Sequence, residues 1–112
     1  MASNDSMIPL PSSTDVEKAV IGAVLLDSNI FDDISSILEP LTFYKNAHRF
    51  IWSEMVGLHN NGEPIDSVSV VQKLSSNELL DKVGGASYLA ELSGEVATTT
   101  NALYHARLVL ES

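Results

Sequence analysis

The sequence predicts an all-α fold, a compact single-domain bundle of about six short helices. Apolar residues recur at intervals of three and four along most of the chain, which is the spacing of one helix face. Caps and stop signals divide these stretches too unevenly for a four-helix up-and-down bundle or a coiled coil. The 112 residues, 45% of them hydrophobic, suffice for one core. Residues 1–13 have no periodicity and are rich in Ser, Asn, Asp and Pro, so we expect a flexible arm before a helical domain at 14–112.

The first helix is predicted from Asp15 to about Leu26. Thr14 and Glu17 have the spacing of a capping box at its start. Gly22 inside the helix costs about 1 kcal/mol relative to Ala, which favours a close crossing by another helix at that point. The apolar stripe of this helix consists of Val16, Ala19, Val20, Ala23 and Val24, with Ile21 and Leu25 beside them.

A second helix is predicted almost at once. One of residues 27–29 can cap it, and Asp32 and Asp33 lie in its first turn, where carboxylates interact favourably with the helix dipole. Pro40 ends the helix. Its apolar face consists of Ile30, Phe31, Ile34, Ile37 and Leu38.

The longest helix is predicted inside Leu41–Asp66, the stretch that carries the only Trp of the chain. Asn46 can cap it. The apolar arc is too broad for a surface helix, so we expect at least one of Ile51 and Trp52 to be buried. The arc consists of Ala47, Ile51, Met55 and Leu58, widened by Phe50 and Trp52.

The turn after this helix is predicted from Gly62 and Pro64. Gly62 supplies the positive φ that stops the helix, and Pro64 disfavours the helical conformation for the residue before it. Asp66 then caps a short helix. The alternation of Val68 and Val70 also fits a strand, but the cap and the lack of a partner strand favour a helix. Its apolar side consists of Val68, Val71 and Leu74.

Two further helices are predicted in the last third of the chain. Residues 75–85 form a partly helical connection that ends in a tight turn at Gly84 and Gly85, before a helix with Tyr88, Leu89 and Leu92. Residues 97–100 are a polar, β-branched link. The last helix follows from Asn101, with Leu103, Ala106, Val109 and Leu110 in helical spacing and Tyr104 and Leu108 beside them. Since the final residues lack a stop signal, the sequence is expected to be cut inside a longer helix.

The composition argues against several functions. Fifteen acidic residues against six Lys and Arg give a net charge of -9, so we expect no direct binding of nucleic acid. The chain has no cysteine, which excludes disulfides, thiol chemistry and Cys-containing zinc sites and is compatible with the cytoplasm. The longest apolar run, 19–26, is too short to span a membrane, and the first residues are unlike a signal peptide.

Motifs of catalysis and cofactor binding are missing from the sequence. It contains no phosphate loop, dinucleotide fingerprint, zinc-protease motif or EF-hand. Asp32 and Asp33 are adjacent, so they point differently and suit the helix dipole better than acid/base catalysis. The Gly84-Gly85 turn could cradle an anion, but without a Lys or Ser/Thr partner a turn is favoured. No metal-ligand spacing joins His48, His59 and His105 to one another or to Glu54, Asp66 and Glu91. We therefore predict no catalytic, cofactor-binding or metal-binding residue.

Two side chains are candidates for contact with a protein partner. The ring of Tyr88 can pack on Leu89 or Leu92 while its hydroxyl stays in water, which is typical of an interface anchor, although core or rim tyrosines are common. Asp66 could face a basic partner, but its capping role explains it without one.

Five motifs, in order, resemble the N-terminal domain of bacterial replicative DNA helicases of the DnaB type. The similarity extends from about Pro9 to Ser112. One departure is His105, which stands next to Tyr104 at a position where the family more often has Tyr. The motifs are Glu17-Lys18-Ala19-Val20-Ile21-Gly22; Phe43-Tyr44 with His48 and Ile51; Gly62-Glu63-Pro64-Ile65-Asp66; Val83-Gly84-Gly85 with Tyr88-Leu89; and Asn101 with Ala106-Arg107-Leu108-Val109.

The resemblance implies a collar domain of a hexameric ring, arranged as a trimer of dimers beside an ATP-driven motor. In that family the collar docks primase and, in some systems, a helicase loader, and a helical hairpin after the globular head makes dimer contacts. The chain would stop where the hairpin begins. ATP and magnesium belong to the motor, so the fragment itself is expected to be non-catalytic. Two alternatives remain. The first is a phage or plasmid accessory protein that acts as an adaptor or as an acidic mimic of DNA. The second is a small acid/base or metal enzyme, which would need converging His and carboxylate side chains.

Overall fold

The computed structural model describes residues 13–94 and 99–111, which form seven α-helices and no strand within these ranges. This confirms the all-α class. The predicted arm lies outside the described residues except for Ser13, and so do residues 95–98, which include half of the predicted link. The helices are α1 Ser13–Leu26, α2 Phe31–Ser35, α3 Asn46–Asn60, α4 Ser67–Ser76, α5 Leu80–Val83, α6 Gly85–Gly94 and α7 Ala102–Glu111, with 3₁₀ turns at Ser28–Ile30 and Pro40–Thr42.

The core forms where α1 packs against α6 and α7, and α3 packs against α4 and α5. Trp52 lies in it without exposed surface, between the rings of Phe31 and Phe43, whose centroids are 5.0 and 5.1 Å away. Its Nε1 donates to the Leu38 carbonyl at 3.2 Å, so the polar end of the indole is also satisfied. Ile51 is fully buried as well, as the broad apolar arc of α3 predicts. No helix of the described ranges is long and apolar enough to cross a membrane.

Two predicted helix starts are wrong. Asn46 is the first residue of α3 rather than its cap, and the N-cap residue, Lys45, makes no side-chain capping bond. The capping box of Thr14 and Glu17 does not form, because α1 already begins at Ser13 and the carboxylate of Glu17 reaches the start of α3 instead. The carboxylate is therefore used between helices.

Two predicted apolar faces are rotated in the structure. In α4 the buried residues are Val70 and Leu74, four apart, while Val68 is 75% exposed. The strand alternative is also wrong, since Asp66 caps α4 by accepting the Ser69 N–H at 2.8 Å. In α7 the buried face consists of Ala102, Ala106 and Val109, and Leu103 and Leu110 are exposed. Small alanines allow close approach, and α7 packs on α1, where Gly22 is buried.

Two helices end with the same hydrogen-bonded turn but with different residues in it. After α3, Gly62 has a φ of 70° and the Glu63 N–H bonds the Leu58 carbonyl at 2.9 Å, before Pro64. After α4, the corresponding position is Glu78, with a φ of 59°. Glycine is the usual residue there, so Glu78 is a strained position that local sequence rules do not predict.

The predicted tight turn at Gly84 and Gly85 is present between α5 and α6, with φ values of 108° and 79°. A Cβ on Gly84 would lie 3.1 Å from the Cβ of Tyr88. Gly84 thus allows the backbone to pass close to Tyr88, which positions that side chain at the start of α6.

Candidate functional site

A chain of hydrogen-bonded side chains joins α1, α3 and α6. Glu17 of α1 and His48 of α3 have no exposed surface. Among the described residues, these two are the buried polar or charged side chains. His48 Nδ1 lies 2.7 Å from Glu17 Oε1, and His48 Nε2 lies 2.7 Å from the hydroxyl oxygen of Tyr88 in α6. We call these three residues the buried polar chain.

The Glu17 carboxylate is surrounded by hydrogen-bond donors. Its Oε2 accepts the Tyr44 N–H at 2.6 Å, and its Oε1 accepts the Lys45 N–H at 3.3 Å in addition to His48. These backbone groups lie directly before α3, where the helix dipole also favours negative charge. A buried carboxylate needs such partners, and here both oxygens act as acceptors. A carboxylate has no hydrogen to donate, so in this pairing the proton lies on the imidazole Nδ1.

The position of His48 favours the neutral imidazole. Burial lowers the pKa of His48 below its ordinary value, and the positive charges of Lys45 and Lys18 act in the same direction, while the Glu17 carboxylate opposes them. A neutral imidazole with its proton on Nδ1 has a bare Nε2. The Tyr88 hydroxyl therefore donates to Nε2, and the buried polar chain has one direction, from Tyr88 through His48 to Glu17.

Tyr88 is half-buried and lies at the surface end of the buried polar chain. Its ring is nearly parallel to that of His48, with planes 8° apart and centroids 5.9 Å apart. The Lys45 Nζ lies 4.9 Å from the centre of the Tyr88 ring and 3.5 Å from the hydroxyl. From the sequence, the Tyr88 hydroxyl is expected to stay in water. In the structure this hydroxyl forms a hydrogen bond with buried His48 instead.

Around Tyr88 the surface combines aromatic and cationic groups. Tyr44, 76% exposed, and Lys45 follow one another where the chain contacts Glu17, and Lys45 reaches Tyr88. We call Tyr44, Lys45 and Tyr88 the Tyr88 surface. Tyrosines are enriched at protein interfaces, and Tyr44 is exposed next in sequence to Lys45, which reaches Tyr88.

The other predicted candidates have structural roles in the described ranges. Asp66 is exposed at the start of α4 and caps that helix. His59 Nε2 contacts Asp32 Oδ1 at 2.7 Å on the surface. No group of three His, Cys, Asp or Glu side chains within the described residues could hold a metal ion.

Sequence reasoning missed Glu17 and His48, although a signal exists for both. Glu17 has helical spacing to the buried Val20 and Ile21, and His48 to the buried Ile51 and Trp52. A single polar side chain on an apolar helix face must find a buried partner, which identifies it as a candidate for a buried hydrogen bond.

The lowered pKa of His48 predicts that acidification destabilises the fold. Above its ordinary value of 6.5, His48 is neutral in the folded and the unfolded chain, so its contribution to stability is complete. Below it, the unfolded chain takes up a proton first, and the free energy of unfolding falls by at most about 1.4 kcal/mol per pH unit until the folded pKa is reached.

Urea denaturation at a series of pH values measures this slope. The His48→Gln variant is the control, since it should lose the part of the slope that begins near 6.5. Stability that rises as the pH falls through this range would show that folded His48 binds the proton more tightly instead.

The chain matches the family described as DnaB-like helicase N-terminal domain over residues 9–111. It is 44% identical over 101 residues to the replicative DNA helicase DnaB of Geobacillus stearothermophilus and 38% identical over 101 residues to the replicative DNA helicase DnaC of Bacillus subtilis. Each match covers 90% of this chain, and the chain spans 22% of the length of each relative.

A solved structure has the same fold. The crystal structure of the N-terminal domain of DnaB helicase from Mycobacterium tuberculosis superposes with a TM-score of 0.85 at 36% sequence identity. The match covers 92% of this chain and 72% of that one.

Proposed function

Since this chain belongs to the family of DnaB-like helicase N-terminal domains, we propose that it is a non-catalytic assembly and docking domain of a replicative DNA helicase. The family match carries this proposal, because it occupies residues 9–111 and the chain contains no motor domain. ATP and magnesium would bind the motor of a full-length protein. The setting of such a helicase is the bacterial cytoplasm.

The proposed partners are primase, a helicase loader and further copies of the same domain. In this assignment the domain forms the collar of a hexamer, built as a trimer of dimers, and the helical hairpin of a longer protein adds the dimer contacts. The isolated chain would then be a monomer or a weak dimer. Its role is to place other proteins near the helicase.

The Tyr88 surface is the proposed contact for primase or the loader. Tyr88 is hydrogen-bonded to His48 and contacted by Lys45, which follows exposed Tyr44 in the sequence. An aromatic side chain that is already ordered loses little conformational entropy on binding, which favours its use as an anchor. Asp66 remains a second proposed contact, but capping of α4 accounts for its position.

A direct test is calorimetric titration of the chain with the primase of its source organism. We expect binding to primase, no salt-dependent binding to single- or double-stranded DNA near physiological ionic strength, and no ATP hydrolysis above a buffer control. The net charge of -9 supports the expectation for DNA, because an excess of acidic side chains repels phosphates.

An unrelated acidic helical protein of similar charge is the matched control for the primase titration. It separates specific docking from nonspecific attraction between an acidic chain and a basic partner. Tight DNA binding by the chain together with no primase binding would contradict the proposal.

A further inference from the structure

The buried polar chain fixes the position of each proton from Glu17 to the surface. A carboxylate has no hydrogen to donate, so Glu17 accepts from His48 Nδ1 as it does from the Tyr44 and Lys45 N–H groups. The bare Nε2 can only accept, so the proton of the Tyr88 hydroxyl points inward. The acceptor side of the phenol oxygen is left for Lys45, whose Nζ donates to it at 3.5 Å, and for a partner group.

We propose that Glu17, acting through His48, is a positioning residue that makes the Tyr88 hydroxyl an acceptor toward docked proteins, so that the partner group meeting it is a hydrogen-bond donor. Glu17 itself is fully buried and cannot touch a partner. Its effect passes over two hydrogen bonds of 2.7 Å each. This inference rests on the proposed docking role of the Tyr88 surface.

Lys45 narrows the chemistry of that donor. Its ammonium group already lies 3.5 Å from the Tyr88 hydroxyl and 4.9 Å from the ring centre. A second cation at the same oxygen would meet this positive charge at close range, which is unfavourable. The donor that fits is therefore neutral, a backbone or side-chain amide N–H or a hydroxyl, rather than Lys or Arg.

The first arm of the test uses the unmodified chain alone. Nitrogen-15 NMR of the imidazole distinguishes a protonated from a bare ring nitrogen. We expect Nδ1 of His48 to carry the proton and Nε2 to be bare near pH 7. A His48 with the proton on Nε2, or on both nitrogens, would overturn the positioning role of Glu17 without any binding experiment.

Glu17→Gln is the variant that should reverse the direction of the buried polar chain. The Gln side-chain oxygen should take the place of Glu17 Oε2 and keep the 2.6 Å bond from the Tyr44 N–H. In the opposite orientation the Gln amide N–H and the Tyr44 N–H, both donors, would face each other at this distance. The amide N–H then faces His48 Nδ1. The proton of His48 moves to Nε2, and the Tyr88 hydroxyl must turn its own proton outward. A purely structural Glu17 would leave the tautomer unchanged.

The second arm measures primase affinity for Glu17→Gln, Tyr88→Phe and the double variant, after circular dichroism has shown that each is folded. Each single change should weaken binding by about two- to tenfold, the effect of one neutral hydrogen bond. The double variant should be no weaker than Tyr88→Phe alone, because both changes act on the same oxygen.

The outcomes separate this inference from the proposed function. If the affinity losses of Glu17→Gln and Tyr88→Phe multiply in the double variant, the two residues act independently and the donor specificity is overturned. A reversed His48 tautomer in Glu17→Gln with unchanged primase affinity would overturn it too. In both cases docking at the Tyr88 surface would stand. If Tyr88→Ala retains full affinity, the proposed docking surface fails. In that case the tautomer still reports whether Glu17 orients the hydroxyl, but the inference about the partner is overturned with it.

Discussion

The Glu17→Ala variant is expected to lose about 3 to 5 kcal/mol of unfolding free energy, because a hydrogen bond to a charged group contributes about 1.5 to 3 kcal/mol and the Glu17 carboxylate accepts more than one of them. Without the carboxylate, His48 Nδ1 and the Tyr44 and Lys45 N–H groups lose their acceptor. His48 has no exposed surface, so water does not reach it in the folded chain to replace the bond. Because small domains are stabilised by only about 5 to 15 kcal/mol, this variant should be close to unfolding.

Urea denaturation followed by Trp52 fluorescence measures the loss. Glu91→Ala is the matched control, since Glu91 also pairs across helices, with Lys18 at 3.3 Å, but its side chain is 50% exposed. That change should alter the stability by less than about 1 kcal/mol. Equal effects of the two variants would mean that Glu17 acts as an ordinary surface charge.

The Ile51→Ala variant is expected to lose about 2 to 5 kcal/mol, the range for truncating a buried aliphatic side chain. Ile51 is fully buried on α3 next to Trp52, and the rings around Trp52 leave little freedom for the core to close the cavity. The fluorescence of the only Trp in the chain should report the same transition as circular dichroism.

Ser53→Ala on the same helix is the control for Ile51→Ala. Ser53 is exposed, so its replacement should change the unfolding free energy by no more than about 0.5 kcal/mol. An unchanged urea midpoint for Ile51→Ala would show that α3 buries a different face.

Features that depend on neighbouring residues were predictable from the sequence. Helical periodicity located the major helices, and the caps and stops at Asp66, Gly62 and Gly84 follow from the chemistry of a few adjacent residues. The buried face of α4 was less predictable, because three valines in four positions fit more than one orientation and packing against α3 and α6 decides between them.

Features that depend on distant residues were not predictable. Glu17 meets His48 31 residues later, and His48 meets Tyr88 after another 40. Local rules assigned Glu17 to a capping box because they consider only the first turn of its helix. The fold instead uses this carboxylate between helices, and the same pairing determines which way the Tyr88 hydroxyl points.

The central claim, that the Tyr88 surface docks other proteins, is tested most directly by primase affinity of Tyr88→Ala, with thermal melting of the same samples. We predict that the variant stays folded and binds primase about 1 to 3 kcal/mol more weakly, the range of an aromatic interface anchor. Unchanged affinity accompanied by a large loss of stability would contradict the claim and would assign Tyr88 to the core, with the partner surface elsewhere.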